Sequence, residues 1–223
     1  MLIVNGAGSV LAKGFIEACK DSPVVAISRE SRISGTKVRN INLNSQSELE
    51  IFLLSLPDER YTWINFQAIR TNDLLINSTT IDLEKSFEIN FGKNYIAARV
   101  LLPKMIRAKG GGFIFIGSVK ADLGDRGAAV YSATKAACDS LMKSIVKEYS
   151  RFNITCNTLS IGYAQTPMWF SLEPEVRKRL MSEVPGKKIV DQEEINASLK
   201  LLLDCRSING LKLRLDGGLG VGS

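Results

Sequence analysis

Short apolar runs alternate along the chain with longer stretches whose apolar residues recur at helical spacing. The runs are LIV at 2–4, VVAIS at 24–28, WINF at 63–66, GFIFIGS at 112–118, NITCNTLS at 153–160 and LKLRLDGG at 211–218. Continuous β-rich runs bounded by glycine and polar residues suit strands buried on both faces, as a parallel sheet covered by helices requires. The rhythm predicts a doubly wound α/β sheet. No internal repeat, low-complexity tract or linker interrupts it, so one domain over 1–223 is expected. The segment from about 163 to 195 breaks the rhythm and is expected to form a lid over a site.

Two positions in this rhythm bear on a nucleotide. In LIVNGAGSVLAKGF, Gly6 and Gly8 stand at a strand end with a helix following, where backbone N–H groups and the helix dipole can hold a pyrophosphate. A plain strand-to-helix turn is the other reading of the same residues. About 20 residues further on, the end of the second strand selects the nucleotide: an acidic group takes the ribose hydroxyls, a basic one a 2′-phosphate. That end reads AISRE, so Ser28 and Arg29 favour NADP(H), and Glu30 would bring a carboxylate to the ribose if the strand ran one residue further.

A third position bears on proton transfer in a chain without histidine. In GAAVYSATKAACDSL, Tyr131 and Lys135 lie four residues apart and hence on one helical face. A phenol is poorly matched to neutral pH unless a fixed positive charge stabilises its phenolate, and the pair then makes a usable general acid. Spacing alone leaves a surface ion–dipole contact open.

Around these residues the chain resembles the short-chain dehydrogenase/reductase family, and within it the 3-oxoacyl-acyl-carrier-protein reductases. In that family a serine ending the fifth strand precedes Tyr-x-x-x-Lys by 13 residues, as Ser118 precedes Tyr131. An asparagine on the preceding helix completes the set, and FEINFGKNY offers Asn90. NITCNTLSIGYAQTPM is similar to the family's strand with its Pro-Gly and Thr turn, giving Gly162 and Thr166, and LDGG at 215–218 resembles its last strand end. The resemblance implies a Rossmann fold and reduction of a carbonyl at the expense of NAD(P)H. Tyr131 would protonate the oxygen, Ser118 would hydrogen-bond it, Lys135 would depress the tyrosine and hold the nicotinamide ribose, and Asn90 would anchor a water. It also places Asn65 and Ala68, in NFQA where the family has Asn-Asn-Ala-Gly, against the cofactor, and Asn42 beside the adenine, although a turn or helix-cap asparagine explains Asn42 equally well.

Departures accompany the match. Against the family's Thr-Gly-x-x-x-Gly-x-Gly the chain has Asn5, Gly6, Val10 and Ala12, and a β-branched Val10 at the middle glycine requires a shifted loop or weakens cofactor binding. Ile161 replaces the proline before Gly162. A carbonyl reductase is therefore weighed against a sugar or polyol dehydrogenase and against a binding protein that kept the fold and lost hydride transfer.

Composition narrows the partners. The chain has 29 lysines and arginines against 23 acids, a net charge of +6, but the basic residues are spread out and no aromatics interleave with them, so nucleic-acid binding is not expected. The basic stretch from Arg177 to Lys188 reads as a solvated helix face. Arg107, Lys109 and Arg151 are weighed as contacts for an acidic carrier protein and as ordinary solvated residues. Cys19, Cys138, Cys156 and Cys205 match no metal-ligand spacing and read as reduced structural thiols. With no apolar run of membrane-spanning length and no signal-peptide layout in MLIVNGAG, a cytoplasmic location is expected. Met168, Trp169 and Phe170 would line an apolar substrate pocket or make a core or oligomer contact. The small residues Ala133, Ala136, Ala137, Ser140 and Ser144 would let a second helix approach, as in a homodimer or homotetramer.

Overall fold

A computed structural model describes the chain except residues 30–32, 36, 72 and 222–223, and leaves the Met168 side chain undescribed. Glu30 therefore lies outside the described residues. The strands are β1 (Leu2–Asn5), β2 (Val24–Ser28), β3 (Val38–Asn42), β4 (Thr62–Asn65), β5 (Gly111–Ser118), β6 (Ile154–Ile161) and β7 (Lys212–Leu215). All pair in parallel, in the order β3-β2-β1-β4-β5-β6-β7. This is the doubly wound sheet that the apolar runs predict. The runs missed only β3, and for a physical reason: VRNIN forms an edge strand that is not buried on either face, so its sequence carries no apolar run.

Helices cover both faces: α1 (Val10–Ala18), α2 (Gln46–Ser55), α3 (Thr80–Ser86), α4 (Lys93–Arg107), α5 (Lys120–Leu123), α6 (Ala129–Tyr149), α7 (Pro167–Phe170), α8 (Pro174–Glu183) and α9 (Gln192–Asp204). Their starts follow from side-chain caps. Ser9 and Ser45 accept from the N3 N–H of α1 and α2, and the Thr79/Asp82 and Asp191/Glu194 pairs close capping boxes on α3 and α9. Alternate strand residues then divide between two cores. Ile3, Trp63, Phe113 and Phe115 pack with Leu49, Leu53, Leu101, Met105 and Met142 of α2, α4 and α6. Val4, Ile64, Ile114 and Leu159 pack with Phe15 and Ile16 of α1 and Ile195, Leu199 and Leu202 of α9.

The segment 163–195, expected to form a lid, divides into two parts. Ala164 pairs with Val190 in an isolated parallel bridge, enclosing α7 and α8, whereas α9 already belongs to the layer beside α1. Trp169 is buried and stacks near Tyr163 with ring centroids 5.5 Å apart, while Phe170 is exposed. No helix among the described residues is long and apolar enough to cross a membrane.

Candidate active site

The chain turns back between β1 and β4, which are neighbours although β2 and β3 intervene in sequence. At such a switch point the loops leave in opposite directions and open a crevice beyond the strand ends. A cavity of about 480 Å³ lies there, within the usual range for a bound small molecule. Its floor is Asn5, Gly6, Gly8 and Ser9 after β1, its far end Ile27, Ser28, Arg29 and Leu43, and its near wall Phe66, Gln67 and Ala68 after β4. Gly6 has φ +73°, and a Cβ there would stand 2.5 Å from the Gln67 nitrogen. Only glycine combines that backbone with so close a crossing. The first-turn N–H groups of α1, which no intrahelical carbonyl can reach, complete an anion-binding end. The cavity, its glycine cradle and the cation at its far end fit a dinucleotide.

Not every expected cofactor residue reaches the cavity. Val10 opens α1 with its side chain half exposed and does not line it. Asn42 is exposed at the end of β3, and the next residue, Leu43, lines the wall in its place. Asn65 is a buried strut: its Oδ1 accepts from Asn5 Nδ2 at 2.8 Å and from the Gln67 N–H at 3.0 Å. Gly162 is required by a close approach, since a Cβ would lie 2.9 Å from Asp216 Cα. The Thr166 hydroxyl caps α7 by accepting from the Trp169 N–H. Neither Gly162 nor Thr166 touches this cavity.

The residues expected to carry chemistry do not line this cavity themselves, Tyr131 and Lys135 included, but Asn90 and Tyr131 adjoin Ile69 and Arg70, which follow Ala68 in the loop after β4. Ser118 ends β5, buried, and its Oγ accepts from the Lys120 N–H at 3.2 Å, which leaves its own O–H free to donate. Tyr131 and Lys135 lie on one face of α6, with the Lys135 Nζ 5.6 Å from the Tyr131 ring centroid. That ammonium, on a residue 4% exposed, donates to the Ile116 carbonyl at 2.7 Å and keeps two further N–H groups. Asn90 occupies a π-helical turn, Phe87–Gly92, between α3 and α4. Such widened turns occur often at functional sites. Its Oδ1 accepts from the Ile69 N–H at 2.8 Å, and its Nδ2 donates to the Ile69 carbonyl at 2.9 Å and to Thr134 Oγ1 at 3.0 Å. Its own carbonyl accepts from Asn94 Nδ2 and Cys138 Sγ. The Asn90 side chain is thus bound up in pinning the loop after β4 to α6.

Sequence reasoning missed the charged neighbours of this centre. Arg70, in the same post-β4 loop, holds its guanidinium carbon 6.0 Å from the Tyr131 ring centroid and pairs with Asp125 at 2.8 Å. Lys120 follows Ser118 by two residues and lies 3.4 Å from the Tyr163 oxygen. Burial, reinforced by Glu183, pushes the Tyr163 phenol far above its ordinary value, so it stays protonated. Lys93, the buried first residue of α4, has its pKa lowered by burial, with Glu88 opposing and Arg29 adding to the shift. For Arg70, Lys120 and Tyr163 the only signal was position shortly beyond a strand end, where loops carry function, and Lys93 on α4 had none.

A family model described as short chain dehydrogenase matches residues 67–177. Carbonyl reductase family member 4 of Xenopus tropicalis is 31% identical over 96% of this chain and 94% of its own. The chain is a short-chain dehydrogenase/reductase. As a member of that family it is an NAD(P)-dependent oxidoreductase acting between alcohol and carbonyl. The 3-oxoacyl-acyl-carrier-protein reductase FabG of Vibrio cholerae is 24% identical over 97% of this chain and 96% of its own. Among solved structures, a short chain dehydrogenase family protein from Francisella tularensis superposes with TM-score 0.89 at 17% identity, covering 98% of this chain and 97% of that one. The family match begins at Gln67, beyond β4, so the glycine turn and the first four strands of this short-chain dehydrogenase/reductase lie outside the matched residues.

The basic residues considered for a carrier protein are misplaced for it. Arg107 and Lys109 precede the start of β5 and Arg151 precedes that of β6, whereas the active centre lies beyond the other ends of those strands. Eight residues of β5 put roughly 26 Å between the two ends. Arg107 is moreover doubly bonded to Asp58, and Arg151 stacks over Phe152.

Proposed function

We propose that this short-chain dehydrogenase/reductase reduces a small carbonyl compound to an alcohol with NADPH, working as one domain. The arrangement of Ser118, Tyr131 and Lys135 beside the strand-end cavity carries the reading. A bound nicotinamide would supply the hydride. Tyr131 gives its phenolic proton to the carbonyl oxygen as negative charge builds there. Ser118, oriented by the Lys120 N–H, donates to the same oxygen, and such donation is worth most in the transition state, where the charge is largest. Lys135 keeps two N–H groups for the ribose and for proton return, so a chain without histidine has a complete acid. Asn90 holds the loop and α6 in register around them.

The preference for NADPH rests on Arg29 and Ser28 at the far end of the cavity, no described acidic residue in its lining, and Lys93 within electrostatic reach of Arg29. The likeness to a carbonyl reductase and to an acyl-carrier-protein reductase over nearly whole chains supports a carbonyl substrate. We place the protein in the cytoplasm as a homodimer or homotetramer, built on the exposed small residues Ala133, Ala136, Ser140 and Ser144 of α6. The test is calorimetric titration with NADPH and with NADH, followed by a carbonyl panel read as loss of NADPH absorbance. Micromolar NADPH binding, weaker NADH binding, and turnover abolished in Tyr131→Phe are expected. A protein that binds neither dinucleotide ends the reading.

A further inference from the structure

The substrate side of the active centre holds more charge than hydride and proton transfer use. Asp125 is shared by two cations: its Oδ2 takes Arg70 Nη2 at 2.8 Å, and its Oδ1 lies 3.5 Å from Lys120 Nζ. Arg70 leans over the Tyr131 ring on one side and is felt by the Tyr163 phenol on the other. Its Nε is buried and has no hydrogen-bond partner among the described residues. The Lys120 side chain is only 11% exposed, with its ammonium 5.4 Å from the Tyr163 ring centroid. The other acid facing this space, Glu183, accepts from the Tyr163 hydroxyl at 3.2 Å. Among the described residues, Arg70 and Lys120 thus meet Asp125 and Glu183 in this space, and Lys135 of the catalytic set adds its positive charge behind Tyr131.

A cation withdrawn from water is costly unless an anion answers it, and a guanidinium fork matches a carboxylate in geometry as well as charge. A purely hydrocarbon substituent would leave Arg70 Nε unanswered, and buried Trp169 already packs beside Tyr163.

We propose that Arg70 and Lys120 form a carboxylate subsite, and that the substrate is a short oxo acid whose carboxylate is bound there while its carbonyl meets Ser118 and Tyr131. The proposal rests on the carbonyl-reductase reading and narrows it. Asp125 positions the two cations without contacting the reacting atoms.

The experiment compares 2-oxobutanoate and 3-oxobutanoate with their methyl esters, using NADPH, in wild type, Arg70→Gln and Lys120→Gln. Wild type is expected to favour at least one acid over its ester by tenfold or more in kcat/KM. Each variant should cut that acid-to-ester ratio at least tenfold, chiefly through KM, with NADPH affinity in calorimetry showing that the variants are folded. Esters reduced as well as both acids, or an unchanged ratio in the variants, would overturn the subsite and leave the reductase reading intact. If NADPH binds but no carbonyl turns over, the reductase reading fails, and titration of the protein–NADP⁺ complex with each oxo acid decides the subsite. Binding lost in Arg70→Gln supports it, and no binding to wild type overturns it.

Discussion

Replacing Asn90 by alanine tests whether this residue acts first as a buried pin. The residue is fully buried, and its amide makes three bonds, two to the Ile69 backbone and one to Thr134 Oγ1. At about 1 kcal/mol net each, their loss costs roughly 3 kcal/mol, because Ile69 is left with a backbone N–H and carbonyl that have lost their partner. For a chain of this size that corresponds to a fall in Tm of roughly 6–12 °C, at about 2–4 °C per kcal/mol. Thr134→Val keeps the branched shape but removes one of the three bonds to Asn90 and the hydroxyl's own donation to the Tyr131 carbonyl at 2.7 Å, so its loss in Tm should be about two thirds as large. Thermal unfolding followed by circular dichroism, without ligand, measures both. An Asn90→Ala protein that melts within about 2 °C of wild type would refute the pin, and any loss of turnover would then have to arise at the reacting atoms.

Gly6→Ala should lower unfolding free energy by roughly 2 kcal/mol or more in urea, since alanine resists φ +73° and its Cβ would meet the Gln67 nitrogen at 2.5 Å; dinucleotide affinity should fall more than tenfold with it. Arg29→Ala should weaken NADPH at least tenfold, as loss of a charge-assisted contact of about 1.5–3 kcal/mol implies, with NADH changed much less; equal losses for both would remove the 2′-phosphate reading. The Tyr61 phenol, which donates to the Pro57 carbonyl at 2.8 Å, is pushed by burial from 10.0 to about 12. Because the folded value lies above the unfolded one, its contribution is complete below pH 10 and drains away as pH rises toward 12, so Tyr61→Phe should flatten the stability curve in that window.

The central strands were legible because each is buried on both faces and so must be written as an apolar run, whatever surrounds it. Ser118, Tyr131 and Lys135 were legible for a related reason. The chemistry proposed for them would need fixed residue types at fixed spacing, which the tyrosine–lysine pair shows on one helix face and which Ser118 shows only through the family resemblance. The edge strand β3 was not legible, since a half-exposed strand beside a single neighbour can be polar. Asn42 is exposed at the end of β3 and its neighbour Leu43 lines the cavity, a difference of one residue that the sequence pattern does not encode because successive strand residues point to opposite sides.

By itself the sequence determined the alternation of strands and helices, the glycine turn after the first strand, and the tyrosine–lysine pair on one helix face, because these depend on periodicities and local backbone rules. Only the tertiary structure decided that Asn90 is bound up with Ile69 and Thr134, that the basic residues near 107–109 and 151 face the end of the sheet away from the site, and that Arg70, Lys120, Asp125 and Tyr163 share one space beside Tyr131. Those residues come from loops up to 93 positions apart, 70 to 163, brought together by the pairing of β4 with β5 and β5 with β6. Contacts of that range are set by the order of strands in the sheet, which no local pattern encodes.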